Sequence, residues 1–483
     1  MSYVVAAPEL LAATAAEVEN IGSAISAATG TAVGPTTGLL AAAQDEVSAA
    51  VAQLFAGYGR EYHALISQAA LFHTEFTRAL AGAANTYAQA EAAAATLLGP
   101  APTAGGGPSL LTTLAQPSSG DPLYALIMGG TGNPLPATEY LNSIFNSYIK
   151  PGFPTAIPQG LFTPEQFWPI TPNLGSLTFA QSVNRGVSLL NSQLTTLLSN
   201  PNNNAIVFGY SQSATIATNE INALLALPTN LQPLPNQLSF MLVGNPNNPV
   251  GGLLARFPGF YIPGLDVPFN GATPQSPWHT SIYTLQYDGI ADAPQYPLNL
   301  VADLNAFMGY FAVHSSYPDL TAAQLANAVH LPTSGGNTDY YMVMTQNLPL
   351  LSPIRAIPYA GPPIADIFQP TLRVLVDMGY GDYGVGLNYA NVPTPAGLLD
   401  IPNPFTVIPD LALGAVQGPY GAAVEIGVEA GLLSPSYFPD TYPWVPSTNP
   451  GLNFFLGQPS TTLLSTLSGA VGNVLHIIPP IFN

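Results

Sequence analysis

The sequence predicts an α-helical hairpin followed by an α/β domain with a mostly parallel central sheet, and three observations carry that expectation. Residues 1–98 are dominated by alanine, with Glu9, Glu17, Glu19, Asp45, Glu46, Glu61, Glu75 and Glu91 dispersed among apolar positions, the texture of amphipathic helices. From residue 121 onward, short apolar runs close on turn residues: "LYALIMGG" (123–130), "NAIVFGY" (204–210), "SFMLVGN" (239–245) and "SIYTLQYD" (281–288). Strands of a parallel sheet covered on both faces read as such unbroken runs. Helical patterns separate them, notably 178–199 and 213–227, and this alternation is the mark of an α/β domain.

In order along the chain, Pro8 suits a first helical turn. "TGTAVGPTTG" (29–38), with three glycines and a proline, reads as the break between a helix over about 8–28 and a longer one over about 39–97. Two helices bury little apolar surface, so the hairpin is expected to need a helical partner. Residues 99–120 form a Pro/Gly/Ser-rich linker. The α/β domain is expected over 121–390, with "TDYYMVMTQ" as a further strand and "DIFQPTLRVLVDMG" as a further helix. Residues 391–483 are rich in Pro and Gly and are expected to be an extension packed on the domain as a lid or cover.

Composition narrows the function. The chain has 26 acidic and 7 basic residues, a formal charge of −19, so the Lys/Arg surface that tracks a nucleic-acid backbone is missing. Charged residues make up only 7% and hydrophobic ones 47%, which suits work near lipids or apolar substrates. With no cysteine, disulfides, zinc–thiolate sites and cysteine nucleophiles are excluded. The N-terminus has neither the basic region nor the short apolar core of a Sec signal, and no long apolar run reads as a transmembrane helix. No cofactor or metal is expected.

The chemistry centres on "GYSQS" (209–213). A small-x-Ser-x-small turn between a buried strand and a helix lifts a serine clear of the sheet, and the helix N-terminus favours developing negative charge. Ser211 is therefore the expected nucleophile; the competing reading is that Ser211 or Ser213 merely caps the helix. Ser213 departs from the usual second glycine. In a hydrolase of this kind the acid and then the histidine follow the serine in chain order. His314, after the helical stretch 297–311, falls where a loop should return to the strand tops. His279 directly precedes a strand and is expected at the wrong end of the sheet, while His330 and His476 are poorer candidates and His63 and His73 lie in the hairpin. For the acid, Asp292 in the loop is favoured over Asp288, which is expected to end the strand. An oxyanion hole needs two backbone N–H groups. Gln212, next to the nucleophile, is expected to supply one, and Gly130 or Thr131 in the Gly-rich "IMGGTGNP" loop the other.

These residues carry a resemblance. Pro8-Glu9 and "YAQAE", with Tyr87 and Glu91, make the hairpin similar to a mycobacterial PE domain bearing the Y-x-x-x-D/E signal of type VII secretion. "GYSQS", "YDGIADAP", "HSSY", "NLPLLSPIR" and "QPTLRVLVDMGYGD", in that order, make the remainder resemble the PE-PPE domain, a cutinase-like serine α/β-hydrolase module in which Ser213 is shared. The resemblance implies export by a type VII system to the mycobacterial envelope or surface, a PPE-type helical partner, and esterase or lipase activity on acyl esters. Some relatives are acyltransferases acting on envelope glycolipids, so transfer to a trehalose-type acceptor is the alternative. A non-catalytic surface protein is a second alternative.

Overall fold

The computed structural model describes residues 121–383, 389–398, 402–439 and 461–476, together with scattered positions before residue 64. The chain divides into two compact units, Met1–Thr112 and Thr113–Asn483.

In the first unit, residues 29–37 are helical, which corrects the break expected over 29–38. Thr36 and Thr37 donate their hydroxyls to the carbonyls of Ala32 and Val33, each at 2.6 Å, and Gly38 N–H reaches Gly34 O at 2.9 Å. Local threonine bonds thus occupy carbonyls in a stretch whose Gly and Pro content argues for a turn. The described positions 48, 52, 53, 56, 57 and 63 are helical as well. The 99–120 linker and the Tyr87/Glu91 pair lie outside the described residues.

Among the described residues the second unit has nine strands: β1 Leu123–Ile127, β2 Ile157–Gly160, β3 Asn204–Tyr210, β4 Leu238–Val243, β5 Tyr261–Ile262, β6 Val267–Pro268, β7 His279–Leu285, β8 Val329–His330 and β9 Thr338–Val343. Seven form one sheet in the order β2-β1-β3-β4-β7-β9-β8, and β5 pairs with β6 as a separate ribbon. All pairings in the large sheet are parallel except β8 with β9. The helices are α1 Thr138–Ile144, α2 Phe179–Leu198, α3 Gln212–Leu225, α4 Leu253–Arg256, α5 Leu300–Ala312, α6 Ala322–Ala326, α7 Ser352–Arg355, α8 Gly361–Tyr380, α9 Pro404–Glu429 and α10 Leu463–Leu475. This is the α/β fold with a mostly parallel sheet that the sequence predicts.

Side chains alternate between the two faces of the sheet. Leu126, Val207, Phe240 and Ile282 meet Val183 and Leu190 of α2 and Ile216 and Ile221 of α3 on one side. Ile127, Phe208, Val243 and Leu285 meet Ile144, Tyr148, Val313 and Tyr317 on the other. Each fully buried Leu, Ile or Phe contributes about 1.5–3 kcal/mol, so apolar runs such as Ala205–Phe208 of β3 and Phe240–Val243 of β4 are stabilised from both faces. A Thr178 capping box with Gln181 starts α2. Edge strand β2, "IPQG", has exposed side chains throughout and no apolar pattern, which is why the sequence did not announce it.

Beyond residue 390 the described helices pack back on the domain. Helix α9 crosses α8 so closely that a Cβ at Gly418 would stand 2.1 Å from Ile367 O. Helix α10 lies on the β5–β6 ribbon, where His476 stacks on Tyr261 with ring centroids 3.9 Å apart. Among the described residues, no helix is long and apolar enough to cross a membrane.

Candidate active site

Parallel strands bring their carboxyl ends to one edge of the sheet, and ligand sites of open α/β sheets form there. The ends of β1, β3 and β7 deliver the Gly-rich loop, Ser211 and Asp288 to that edge.

Ser211 joins β3 to α3 with φ 56° and ψ −115°, a sparsely populated conformation for a residue with a Cβ. Its N–H is fixed to Val243 O at 3.1 Å. A Cβ at Gly209 would come within 2.7 Å of Ser213 O, so the strand can approach the helix only without a side chain there. The buried Ser213 hydroxyl accepts Tyr210 N–H at 2.8 Å and donates to Tyr210 O at 3.1 Å. A serine at this second small position therefore staples the turn. The Ser211 side chain makes no capping bond to α3. Its Oγ lies 2.8 Å from His314 Nε2 instead.

His314 opens the 3-10 turn that follows α5, and its Nδ1 is 2.8 and 2.9 Å from the two carboxylate oxygens of Asp288. Asp288 is fully buried and also accepts Ile290 N–H at 2.9 Å and the Tyr317 hydroxyl at 2.8 Å. Asp288, not the favoured Asp292, is thus the carboxylate at the histidine. The reason is where the strand stops. β7 ends at Leu285, Tyr287 takes φ 66°, and Asp288 falls in the loop rather than on the strand. Asp292 turns back to accept Tyr287 N–H at 2.7 Å, a turn-capping role. Burial pushes the Asp292 carboxyl up to about 7, against the pull of that N–H and of Arg256. The loop reaches His314 because two glycines let it lie on α5: a Cβ at Gly309 would stand 1.8 Å from Tyr287 O, and one at Gly289 2.2 Å from Ala306 O.

The oxyanion candidates sit around the nucleophile. Gln212 is the first residue of α3, where a backbone N–H has no partner within the helix. Its side chain accepts the Thr131 hydroxyl at 2.8 Å and donates to Gln166 O at 3.0 Å and Ser182 Oγ at 2.9 Å. Gly130 lies against the Tyr210 ring, 2.9 Å from where its Cβ would be. Gly130 and Thr131 are therefore held beside the Ser211 turn.

Other histidines lie elsewhere. His279 and His330 share Asp339 at 3.0 and 3.2 Å, at the opposite end of β7 and β9. His63 Nε2 is 2.8 Å from Thr36 Oγ1 in the first unit, and His73 is outside the described residues.

Three neighbours of the site escaped the sequence reading. Tyr317 bonds Asp288 and takes Leu285 N–H at 2.9 Å, and burial drives its hydroxyl well above its ordinary pKa. The one-turn spacing from His314 in "HSSY" was the available signal. Tyr210 donates to His314 O at 2.6 Å and so ties the nucleophile turn to the histidine turn. Gly244 has φ 55°, and a Cβ there would lie 2.9 Å from the Tyr317 ring and 3.2 Å from His314. Gly244→Ala is expected to destabilise the protein by more than about 1 kcal/mol, read as a lower urea midpoint at unchanged slope.

The sequence matches the PE family over residues 4–94 and the PE-PPE domain over residues 154–381. PE family protein PE3 of Mycobacterium tuberculosis (strain ATCC 25618 / H37Rv) is 56% identical over 485 residues, 100% of both chains. Esterase PE16 of the same strain is 45% identical over 425 residues, 87% of this chain and 77% of that one. A cutinase-like protein from Cryptococcus sp. shares 22% identity over 37% of this chain and 82% of that chain, with a TM-score of 0.25.

Proposed function

The chain belongs to the PE family and carries a C-terminal PE-PPE domain, and from that premise we propose that it is an ester hydrolase of the esterase or lipase type acting through Ser211, His314 and Asp288. The observation that carries this reading is the unbroken line from Ser211 Oγ through the His314 ring to Asp288, with contacts of 2.8 Å on both sides of the imidazole. The similarity to an esterase over 87% of the chain supports it.

In this mechanism Asp288 accepts a hydrogen bond from His314 Nδ1–H, keeping the proton on the ring and leaving the Nε2 lone pair to take the Ser211 proton. Oγ then attacks the acyl carbon. The resulting oxyanion is met by the N–H of Gln212 and by an N–H from Gly130 or Thr131. His314 returns its proton to the leaving alcohol, and water, activated by the same imidazole, releases the acid and regenerates Ser211. Buried Asp288 stabilises the imidazolium in both halves, and its bonds to Tyr317 and Ile290 hold it in line.

An apolar face adjoins this site. Helix α5 leads into His314 and exposes Leu304, Phe307 and Phe311, and Tyr310 stacks on the His314 ring with centroids 5.8 Å apart. Such a face suits an acyl substrate. Membership of the PE family supports secretion or residence at the mycobacterial envelope, with Tyr87 and Glu91 as the type VII signal and a PPE-type protein as helical partner.

The test is turnover of p-nitrophenyl esters from acetyl to palmitoyl by the full chain, together with labelling by a fluorophosphonate. Turnover at one or more chain lengths, with labelling at Ser211, is expected. An unlabelled serine and no turnover at any length would remove this reading.

A further inference from the structure

Glu165 is a buried acid that ester hydrolysis does not call on directly. Its side chain is fully buried, and its backbone has φ 48°, strained for a residue with a Cβ. Strain of this kind persists where surrounding bonds over-determine it, and here they do. The Glu165 carbonyl accepts Gly132 N–H at 2.9 Å, and Thr163 N–H reaches Pro134 O at 3.1 Å. The next residue, Gln166, accepts Gln212 Nε2 at 3.0 Å, while Gln166 N–H and Gln212 Nε2 both donate to Ser182 Oγ at 2.9 Å. Residues 163–166 therefore hold both arms of the oxyanion hole: the Gly-rich loop at Gly132 and Pro134, and Gln212 by its side chain.

The carboxyl at the centre of this brace has almost nothing to pair a charge with. Oε1 accepts the Thr163 hydroxyl at 2.7 Å, and Oε2 has no hydrogen-bond partner among the described residues. Burial pushes the group up to about 8, against the smaller pull of Thr163. Among the described residues, the titratable group that feels its charge is the Tyr140 phenol. Tyr140 of α1 feels both Glu165 and Tyr210, and burial keeps both phenols neutral through the working range. Tyr140 also donates to Met128 O at 3.3 Å, at the root of the same loop. An ionised Glu165 would thus be a buried, uncompensated charge beneath the loop.

Resting on the hydrolase reading above, we propose that Glu165 is a positioning residue for the reaction: its neutral carboxyl, bonded to the Thr163 hydroxyl, keeps the 163–166 segment in place, the backbone of that segment holds the 128–134 loop and Gln212 in the geometry that receives the oxyanion, and ionisation of the carboxyl loosens that segment and the loop with it. The sign follows from the raised acid. Native Glu165 keeps its proton where the unfolded chain has lost it, so its contribution to stability declines as pH rises from the ordinary carboxylate range to about 8 and is level above. Activity declines as Glu165 ionises, around pH 8 and above.

The experiment uses the full chain, its Glu165→Gln and Glu165→Ala variants, and Ser211→Ala as the blank for spontaneous hydrolysis. Turnover of p-nitrophenyl butyrate is followed from about pH 6 to 10. Amide exchange of the peptide spanning 128–134 is followed at about pH 7 and 9, corrected for intrinsic rates. The wild type is expected to lose about tenfold in kcat above pH 8 with KM within about twofold, since an oxyanion contact acts in the transition state. Its loop should lose protection over the same range. Glu165→Gln should keep the neutral-pH kcat and show neither change, whereas Glu165→Ala should be slow throughout. The same alkaline decline and the same loop exchange in wild type and Glu165→Gln would overturn the proposal. If the wild type turns over no ester, the hydrolase reading fails, and the exchange arm still decides whether Glu165 governs the loop.

Discussion

Ser211→Ala is expected to lower kcat for p-nitrophenyl butyrate by about 10⁴-fold or more while leaving thermal unfolding nearly unchanged. The loss is large because Oγ supplies the bond that splits one difficult step into two. With the hydroxyl gone, His314 and the oxyanion donors have no nucleophile to serve. Stability is spared because the Ser211 side chain makes no capping bond to α3, and alanine keeps the same Cβ at φ 56°. Both quantities are read on the same preparation, by ester turnover and by calorimetry. A variant that retained a tenth of the wild-type rate would show that another group carries the reaction.

Asp288→Asn and Asp292→Asn form the second test, and they should differ by orders of magnitude. Asp288 meets His314 Nδ1 with both oxygens, and an asparagine in its place would put an N–H donor against that nitrogen or demand the wrong tautomer. A fall in kcat of about 10⁴-fold is the expected outcome. The Asp292 carboxyl accepts Tyr287 N–H rather than a histidine N–H, and an amide oxygen can do the same, so its Asn variant should keep kcat within about tenfold. Steady-state kinetics of the two purified variants decide the matter. Equal losses would mean that both carboxylates steer the histidine.

These two aspartates also show where sequence reading stops. Strand β3 was legible residue for residue because both faces of the sheet are covered, and the pattern of "NAIVFGY" has no other use. The order Ser211 then His314 was legible because chain order on parallel strands limits what can reach one edge. The choice between Asp288 and Asp292 was not, since it turns on β7 ending at Leu285 and on the positive φ of Tyr287, neither encoded by apolar pattern. Glycine and proline misled in the same way at both ends of the chain. Residues 29–37 are helical despite Pro35, and α9 runs through Pro409 and Pro419. Composition counts these residues as breakers, but the tight α8–α9 crossing uses small ones for close approach, and packing overrides propensity. Tyr210 and Gly244 were missed because their roles are contacts between distant segments, which no local spacing records, whereas for Tyr317 only the one-turn spacing from His314 hinted at a role.

The rims of the large sheet have a consequence for how the protein keeps its own company. An open sheet edge invites a strand from another molecule, and many proteins repel it with lysines along the edge. With 7 basic residues in 483, this chain has few to place there. Its net charge of −19 is screened beyond about 8 Å in physiological salt. The edges instead end in short pieces: β2 has four residues and includes Pro158, which has no N–H to offer, and antiparallel β8 has two. Resistance to edge-to-edge aggregation is therefore assigned to backbone chemistry at the rims, where a charge-poor surface supplies no local repulsion.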